Sequence, residues 1–183
     1  GIVGAGPAFQ IADVPGGHGG SSIERLGIYG GDVAIRLQGT GDSVNVLVKK
    51  VTFSRNKTAI DVFARNGSVV TAFIETCTIT DGVPTFTYPP GCDLGSFTSN
   101  KMDYGIRLKA EQTVPTEEAG AIEAQVINLK CFGLFDKGAN LSHYRRLIDI
   151  EANGNTKRQH VQDPFAFDEI ARVDLEITAC SDL

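Results

Sequence analysis

The sequence predicts an all-β fold, a right-handed parallel β-helix (solenoid) of about five coils with long loop insertions. Three observations lead to this prediction. Glycine is abundant, with 21 residues, and strong helix-forming stretches are few, which is typical of short strands joined by tight turns. Two separate patterns of apolar residues also recur along the chain, and they recur in step with each other about every 25 residues.

The first pattern has the spacing apolar-x-x-apolar-x-apolar. Its second copy lies 25 residues after the first and its third copy 26 residues after the second, while a fourth follows 52 residues later and a weaker fifth another 49 residues on. The copies are Ile23, Leu26, Ile28; Val48, Val51, Phe53; Ile74, Cys77, Ile79; Val126, Leu129, Cys131; and Leu175, Thr178, Cys180.

The second pattern is a short alternating strand, and it keeps pace with the first. Its copies are Ala8-Phe9-Gln10-Ile11, Ala34-Ile35-Arg36-Leu37, Ala59-Ile60-Asp61-Val62 and Gly105-Ile106-Arg107-Leu108. Strands that repeat in one direction with no helix between them do not form a βαβ sheet. If the chain coils so that each strand pairs with its own copy, about 4.8 Å away, the backbone hydrogen bonds are satisfied and the inward residues stack into one core.

Other repeat architectures fit less well. The Leu-x-x-Leu-x-Leu-x-x-Asn signature of leucine-rich repeats is missing, and propeller blades need about 40 residues or more. The opening Gly1 to Gly6 is similar to a dinucleotide-binding fingerprint, but Phe9 stands at the third glycine position and Pro15-Gly16-Gly17 ends any helix.

Two segments carry a resemblance to a known group of proteins. Val51 to Val62 (VTFSRNKTAIDV) and Cys77 to Gly82 (CTITDG) resemble coils of the pectin-lyase-like right-handed parallel β-helix superfamily, and the resemblance covers most of residues 1 to 131. It implies an architecture rather than an activity, because the superfamily includes lyases, hydrolases, phage tail fibres and non-catalytic surface proteins.

We interpret residues 1–183 as a single β-helix domain that is excised or processed from a longer protein. The length suits one core, and the first residue is Gly1 rather than Met. Departures from the repeat predict insertions at 80–103, 109–120 and 136–169, and such long excursions are often functional. No amphipathic capping segment follows the last repeat, so we expect a neighbouring chain or domain to cover the open C-terminal end of the solenoid.

The composition argues against several partners. A net charge of −5 disfavours a general nucleic-acid binder, which needs clustered Lys and Arg. No apolar run is long enough for a membrane span. The four cysteines have no Cys-x-x-Cys spacing and no partnered histidine cluster, so we expect no metal site and no cofactor, with calcium only if the protein is a lyase.

Polar residues at the outward positions of the repeat are the candidates for chemistry. One outward column contains Gln10, Arg36, Asp61 and Arg107, and another contains Glu24, Lys49 and Glu75. Alternating charges of this kind are typical of surface ion pairs that contribute little each.

The functional alternative uses the same residues. The resemblance implies that a lyase acting on acidic sugars would use an Arg or Lys base beside carboxylates that bind calcium. The catalytic candidates are Arg36, Asp61, Arg107, Asp81 and Asp103. The candidates for ligand binding are Lys109 and three aromatic residues that could stack on sugar rings, Tyr88, Phe97 and Tyr104.

Two functions remain open at this point. The first is a carbohydrate-binding or structural β-helix module of a secreted, surface or phage-fibre protein, which the lack of an evident catalytic motif favours. The second is a polysaccharide-acting enzyme, a lyase or a glycoside hydrolase, with its site on the outer face beneath the 80–103 loop. Both imply a polysaccharide ligand and an extracellular, cell-surface or virion-surface location. Two carboxylates about 5 to 9.5 Å apart would favour the hydrolase.

Overall fold

The computed structural model describes residues 6–16, 19–80, 102–112, 118–132, 144–153 and 172–182. Every regular element in these ranges is a β-strand. In chain order they are β1 (Phe9–Ala12), β2 (Ser21–Glu24), β3 (Gly27–Tyr29), β4 (Val33–Gly39), β5 (Val44–Lys49), β6 (Thr52–Ser54), β7 (Thr58–Ala64), β8 (Val69–Glu75), β9 (Thr78–Thr80), β10 (Met102–Glu111), β11 (Ala121–Phe132), β12 (Tyr144–Asn153) and β13 (Arg172–Asp182).

The strands form two sheets in which all pairings are parallel. The first sheet has the order β1-β4-β7-β10-β12, and the second contains β2, β5, β8, β11 and β13 with the short strands β3, β6 and β9. Each strand pairs with its own copy one coil away, so that Ile35 pairs with Ile60 and Ile60 with Ile106. The described residues therefore make five coils, and the predicted parallel β-helix is confirmed.

The inward positions of these ladders form the core. Ile35, Ile60 and Ile106 are fully buried in the first sheet, as are Phe53 and Ile79 in the second. Each such side chain contributes about 1.5–3 kcal/mol by leaving water. Because the contacts run between coils, no coil can form this core alone.

Two cysteines belong to this core. Cys77 and Cys131 are buried thiols that form no disulfide, at inward positions of the first pattern. Burial raises the pKa of the Cys77 thiol, so the thiol stays protonated at neutral pH and packs as a small apolar group.

A single left-handed residue makes the same corner in successive coils. The corner residues are Arg25, Lys50, Thr76 and Asn128, with φ angles of 56°, 55°, 54° and 54°. The ladder continues through the corner, since the Lys50 N–H donates to the Glu75 carbonyl and the Thr76 N–H to the Ile127 carbonyl. The two residues between the apolar positions of the first pattern are the place where this turn occurs.

The structure corrects two expectations about the last coils. Residues 144–153, which lie inside the predicted insertion at 136–169, form strand β12 and pair with β10. The fifth copy of the first pattern is shifted by two residues, because Leu175 pairs with Ala124 and Ile177 with Val126. The bulky Leu147 fits beside β10 because position 105 is glycine: a Cβ there would lie 2.6 Å from the Leu147 carbonyl oxygen.

The other predicted insertions fall mostly outside the described residues. In the insertion predicted at 80–103, residue Thr80 is the last of β9 and residues 102–103 are the first of β10, whereas residues 81–101 are not described. The insertion predicted at 109–120 is placed too early in the sequence, because residues 109–111 still belong to β10.

Thr76→Asn tests the corner. A β-branched residue is strained at positive φ, whereas Asn tolerates this conformation and already occupies the same corner one coil later, at position 128. We expect the free energy of unfolding, measured in urea, to rise by about 1 kcal/mol. Thr78→Asn, inside β9, is the control and should lower it, because Asn is disfavoured in strands. An equal loss in both variants would contradict this account of the corner.

Candidate functional site

The outer face of the first sheet contains a shallow groove across three successive coils. Its cavity volume is about 290 Å³, and it is lined by Arg36 and Gln38 from β4, Asp61 and Phe63 from β7, Arg65 directly after β7, and Arg107 and Lys109 from β10. These are outward positions, so their spacing is set by the sheet: about 4.8 Å between coils and about 7 Å between alternate residues of one strand.

The first row of the groove alternates in charge. Arg36, Asp61 and Arg107 lie in register on neighbouring strands. The Arg36 Nε–H donates to one carboxylate oxygen of Asp61 at 2.9 Å, and Arg36 Nη2 forms an ion pair with the same oxygen, also at 2.9 Å. The Asp61 side chain is only 12% exposed, so this carboxylate is largely withdrawn from water and depends on its neighbours for stabilisation.

Arg107 is held at the junction of two coils. Its Nη2 donates to Glu151 at 3.2 Å, and its guanidinium lies 5.5 Å from the centre of the Tyr104 ring. Partial burial lowers the pKa of Arg107, but attraction to Glu151, with a smaller contribution from Asp61, outweighs it, and the net pKa is raised. Arg107 therefore stays charged at neutral pH.

An aromatic ring with two neighbouring cations forms the second part of the groove. Phe63 lies between Gln38 and Lys109 in the ladder. The Lys109 ammonium and the Arg65 guanidinium lie 5.9 Å and 5.8 Å from the centre of the Phe63 ring. A half-buried ring bordered by cations offers an apolar face and charged donors to the same ligand.

The cations of the groove differ in how they are neutralised. Arg36 pairs with Asp61, Arg107 with Glu151, and Lys109 with Glu111. The Nε–H groups of Arg65 and Arg107 are both buried without a hydrogen-bond partner, but among the residues the structure describes no carboxylate pairs with Arg65. Arg65 is thus the groove cation with the most unused hydrogen-bonding capacity.

The groove brings together four of the residues singled out in the sequence, Arg36, Asp61, Arg107 and Lys109. Tyr104 lies beside them against Arg107. Asp103 is placed elsewhere, near Lys57, whose pKa is raised first by its hydrogen bond to Asp32 and to a smaller extent by Asp103. Three candidates, Asp81, Tyr88 and Phe97, lie outside the described residues.

Sequence reasoning missed Gln38, Phe63 and Arg65. The available signal was their position, because each continues the outward side of a strand of the second pattern by one or two steps. The four-residue pattern contains only one outward residue of each strand, whereas the groove extends to and beyond the strand ends.

The groove does not suit a calcium ion. A calcium site needs several free oxygen ligands, whereas the groove's carboxylate, Asp61, is already bonded to Arg36 and lies next to Arg107. In the described ranges no three His, Cys, Asp or Glu side chains come together in a way that could hold a metal ion.

A larger cavity of about 440 Å³ lies on the outer face of the second sheet, lined by Thr71, Phe73, Glu123, Ala124, Gln125, Val173, Asp174, Leu175 and Glu176. Its charged lining residues are all acidic, and the amide of Gln125 donates to Glu176 at 3.1 Å. We favour the smaller groove because it combines both charge signs with an aromatic ring, which gives a ligand more kinds of contact.

Comparisons with known protein families, with characterised proteins and with solved structures found no match for this chain. The solenoid architecture therefore rests on strand order and register, and the candidate site rests on the geometry of the groove.

Asp61→Asn tests whether the first row is held together by its charge. The change leaves Arg36 without its partner beside Arg107, so we expect the free energy of unfolding to fall by about 1–3 kcal/mol. Glu75→Gln is the matched control: it breaks the Lys49–Glu75 pair, also between neighbouring coils, but Glu75 is 34% exposed. That loss should be below about 1 kcal/mol. Equal losses in thermal or urea unfolding would show that the burial of Asp61 has no energetic consequence.

Proposed function

We propose that this protein is a carbohydrate-binding β-helix module, and that the groove binds an extended polysaccharide that carries acidic groups. The observation that carries the proposal is the Phe63 ring bordered by Lys109 and the unpaired Arg65 on an open, flat sheet face. A sugar ring can lie on the aromatic face while a carboxylate or sulfate group reaches a cation.

The shape of the surface supports a chain ligand rather than a compact one. Outward side chains of β4, β7 and β10 repeat at the spacing of the coils, about 4.8 Å, so neighbouring coils offer equivalent contacts along one direction. The amide of Gln38 adds donors and acceptors suited to sugar hydroxyls.

The same groove supports an enzyme less well. A glycoside hydrolase needs two carboxylic groups facing each other, and the described lining residues include one carboxylate, Asp61, which is bonded to Arg36. A lyase needs a base, and Arg107 keeps its proton because its pKa is raised. A binding role requires only that Asp61 and Arg107 stay charged and keep their positions.

Within this proposal, the protein is a non-catalytic member of the pectin-lyase-like superfamily, located outside the cell or on the surface of a cell or virion. Polysaccharides of the required length and charge occur there, and a binding module on a rigid solenoid would anchor a larger protein to them.

The test is equilibrium binding of the full chain to a carboxylated polysaccharide (polygalacturonate), a sulfated one (heparin) and neutral dextran, at two salt concentrations. We expect binding to at least one acidic chain, weakened by salt, and none to dextran. Arg65→Gln and Lys109→Gln should each weaken binding about tenfold, equivalent to about 1.4 kcal/mol. Lys130→Gln, which removes an exposed cation of the second sheet, should change nothing.

Products are measured in the same samples, with and without calcium. New reducing or unsaturated ends would replace the binding proposal with the enzyme. Lack of binding to either acidic polysaccharide, or equal weakening by Lys130→Gln, would overturn it.

A further inference from the structure

In the first and last described coils, ladder positions that are buried in the middle coils are exposed. At the C-terminal end, the side chains of Ile150 on β12 and Ile177 on β13 are 48% and 47% exposed. Their partners one coil inward, Leu108 and Val126, are fully buried. Among the described strands, β12 pairs only with β10 and β13 only with β11, so each has one unpaired edge.

The N-terminal end shows the complementary arrangement. Within the described part of the chain, β1 pairs only with β4 and β2 only with β5. Phe9 on β1 is 40% exposed although its ladder partner Ile35 is fully buried. Among the described strands, this end therefore also offers unpaired parallel edges, whose inward residues are the apolar Phe9, Ile11 and Ile23 together with Ser21.

We propose that a second copy of this chain docks head to tail, its β1 and β2 adding to β12 and β13 of the first copy. Continuing the observed ladders by one coil places Phe9 on Ile148, Ile11 on Ile150 and Ile23 on Ile177, all apolar on apolar. The small polar residue Ser21 falls on Leu175. The contact between copies then repeats the contact that already joins each coil to the next within one chain.

The outward charges select this orientation. Head-to-tail docking places Gln10 beside Asp149 and the small side chain of Ala12 beside Glu151, so no like charges come opposite each other. A two-fold contact between two C-terminal ends would instead pair β12 with β12 and bring Asp149 and Glu151 close to their own copies.

Head-to-tail contacts do not close, so the wild-type chain assembles into oligomers whose mean size grows with concentration. Sedimentation of the 183-residue chain over about a hundredfold range of concentration measures this. Phe9→Lys blocks one end and Ile150→Lys with Ile177→Lys blocks the other, and each half-exposed position lets the lysine reach water. Both variants should be monomeric alone, with circular dichroism spectra like that of the wild type.

An equimolar mixture of the two variants is the decisive sample. Each variant keeps the end that the other lacks, so the mixture should give a 1:1 dimer with twice the mass of the monomer. Phe73→Lys, at a similarly exposed apolar position on the outer face of the second sheet, is the control and should assemble like the wild type. A wild-type chain that stays monomeric, a dimer of either blocked variant alone, or a mixture that stays monomeric would overturn head-to-tail docking.

Discussion

The pairing of every strand with its copy in the next coil is the constraint on which this structure depends. Within one coil the chain crosses from sheet to sheet and makes no ladder of its own, so the backbone N–H and C=O groups of its strands pair with the coils above and below. A parallel ladder has one register for each pair of strands, and a slip of one residue would turn the core residues outward. Stacking therefore favours apolar residues at the inward positions, and it places the left-handed corner residue at the equivalent position of successive coils.

That register also builds the groove. Arg36, Asp61 and Arg107 are far apart in the chain, yet they are neighbours because the ladder places equivalent positions about 4.8 Å apart. Charges of alternating sign in such a column stabilise the coil contact, and the surplus cation, Arg65, is left over at the strand end. The same stacking thus builds both the core and the groove. The groove can bind a ligand where a cation, Arg65, has no carboxylate partner among the described residues.

The constraint has a further consequence in the first and last described coils, where no further described strand continues the ladder. The groove lies on β4, β7 and β10, away from the terminal strands β1, β12 and β13, so docking at the ends leaves it open. Copies stacked head to tail would repeat the groove about every 24 Å, the height of five coils. Two grooves of moderate affinity, held at a fixed spacing, bind one long polysaccharide more tightly than a single groove does. Head-to-tail docking would therefore strengthen polysaccharide binding.

The sequence by itself determined the repeat, the two apolar columns and the residues that face outward in them. These follow from local periodicity, and the ladder register matches the predicted alignment through Ile106 and Val126. It also identified Arg36, Asp61, Arg107 and Lys109, because a charged residue at an outward step is visible in the pattern alone.

Only the tertiary structure decided the rest. The strand at 144–153 escaped notice because its spacing from β10 departs from 25 residues, and the length of an intervening segment does not say where the chain rejoins the ladder. The two-residue shift of β13 arises for the same reason. The contacts of Phe63 with Arg65 and Lys109 depend on side-chain conformations across neighbouring coils, which periodicity does not specify, since it fixes the face on which a residue lies but not the neighbour it touches.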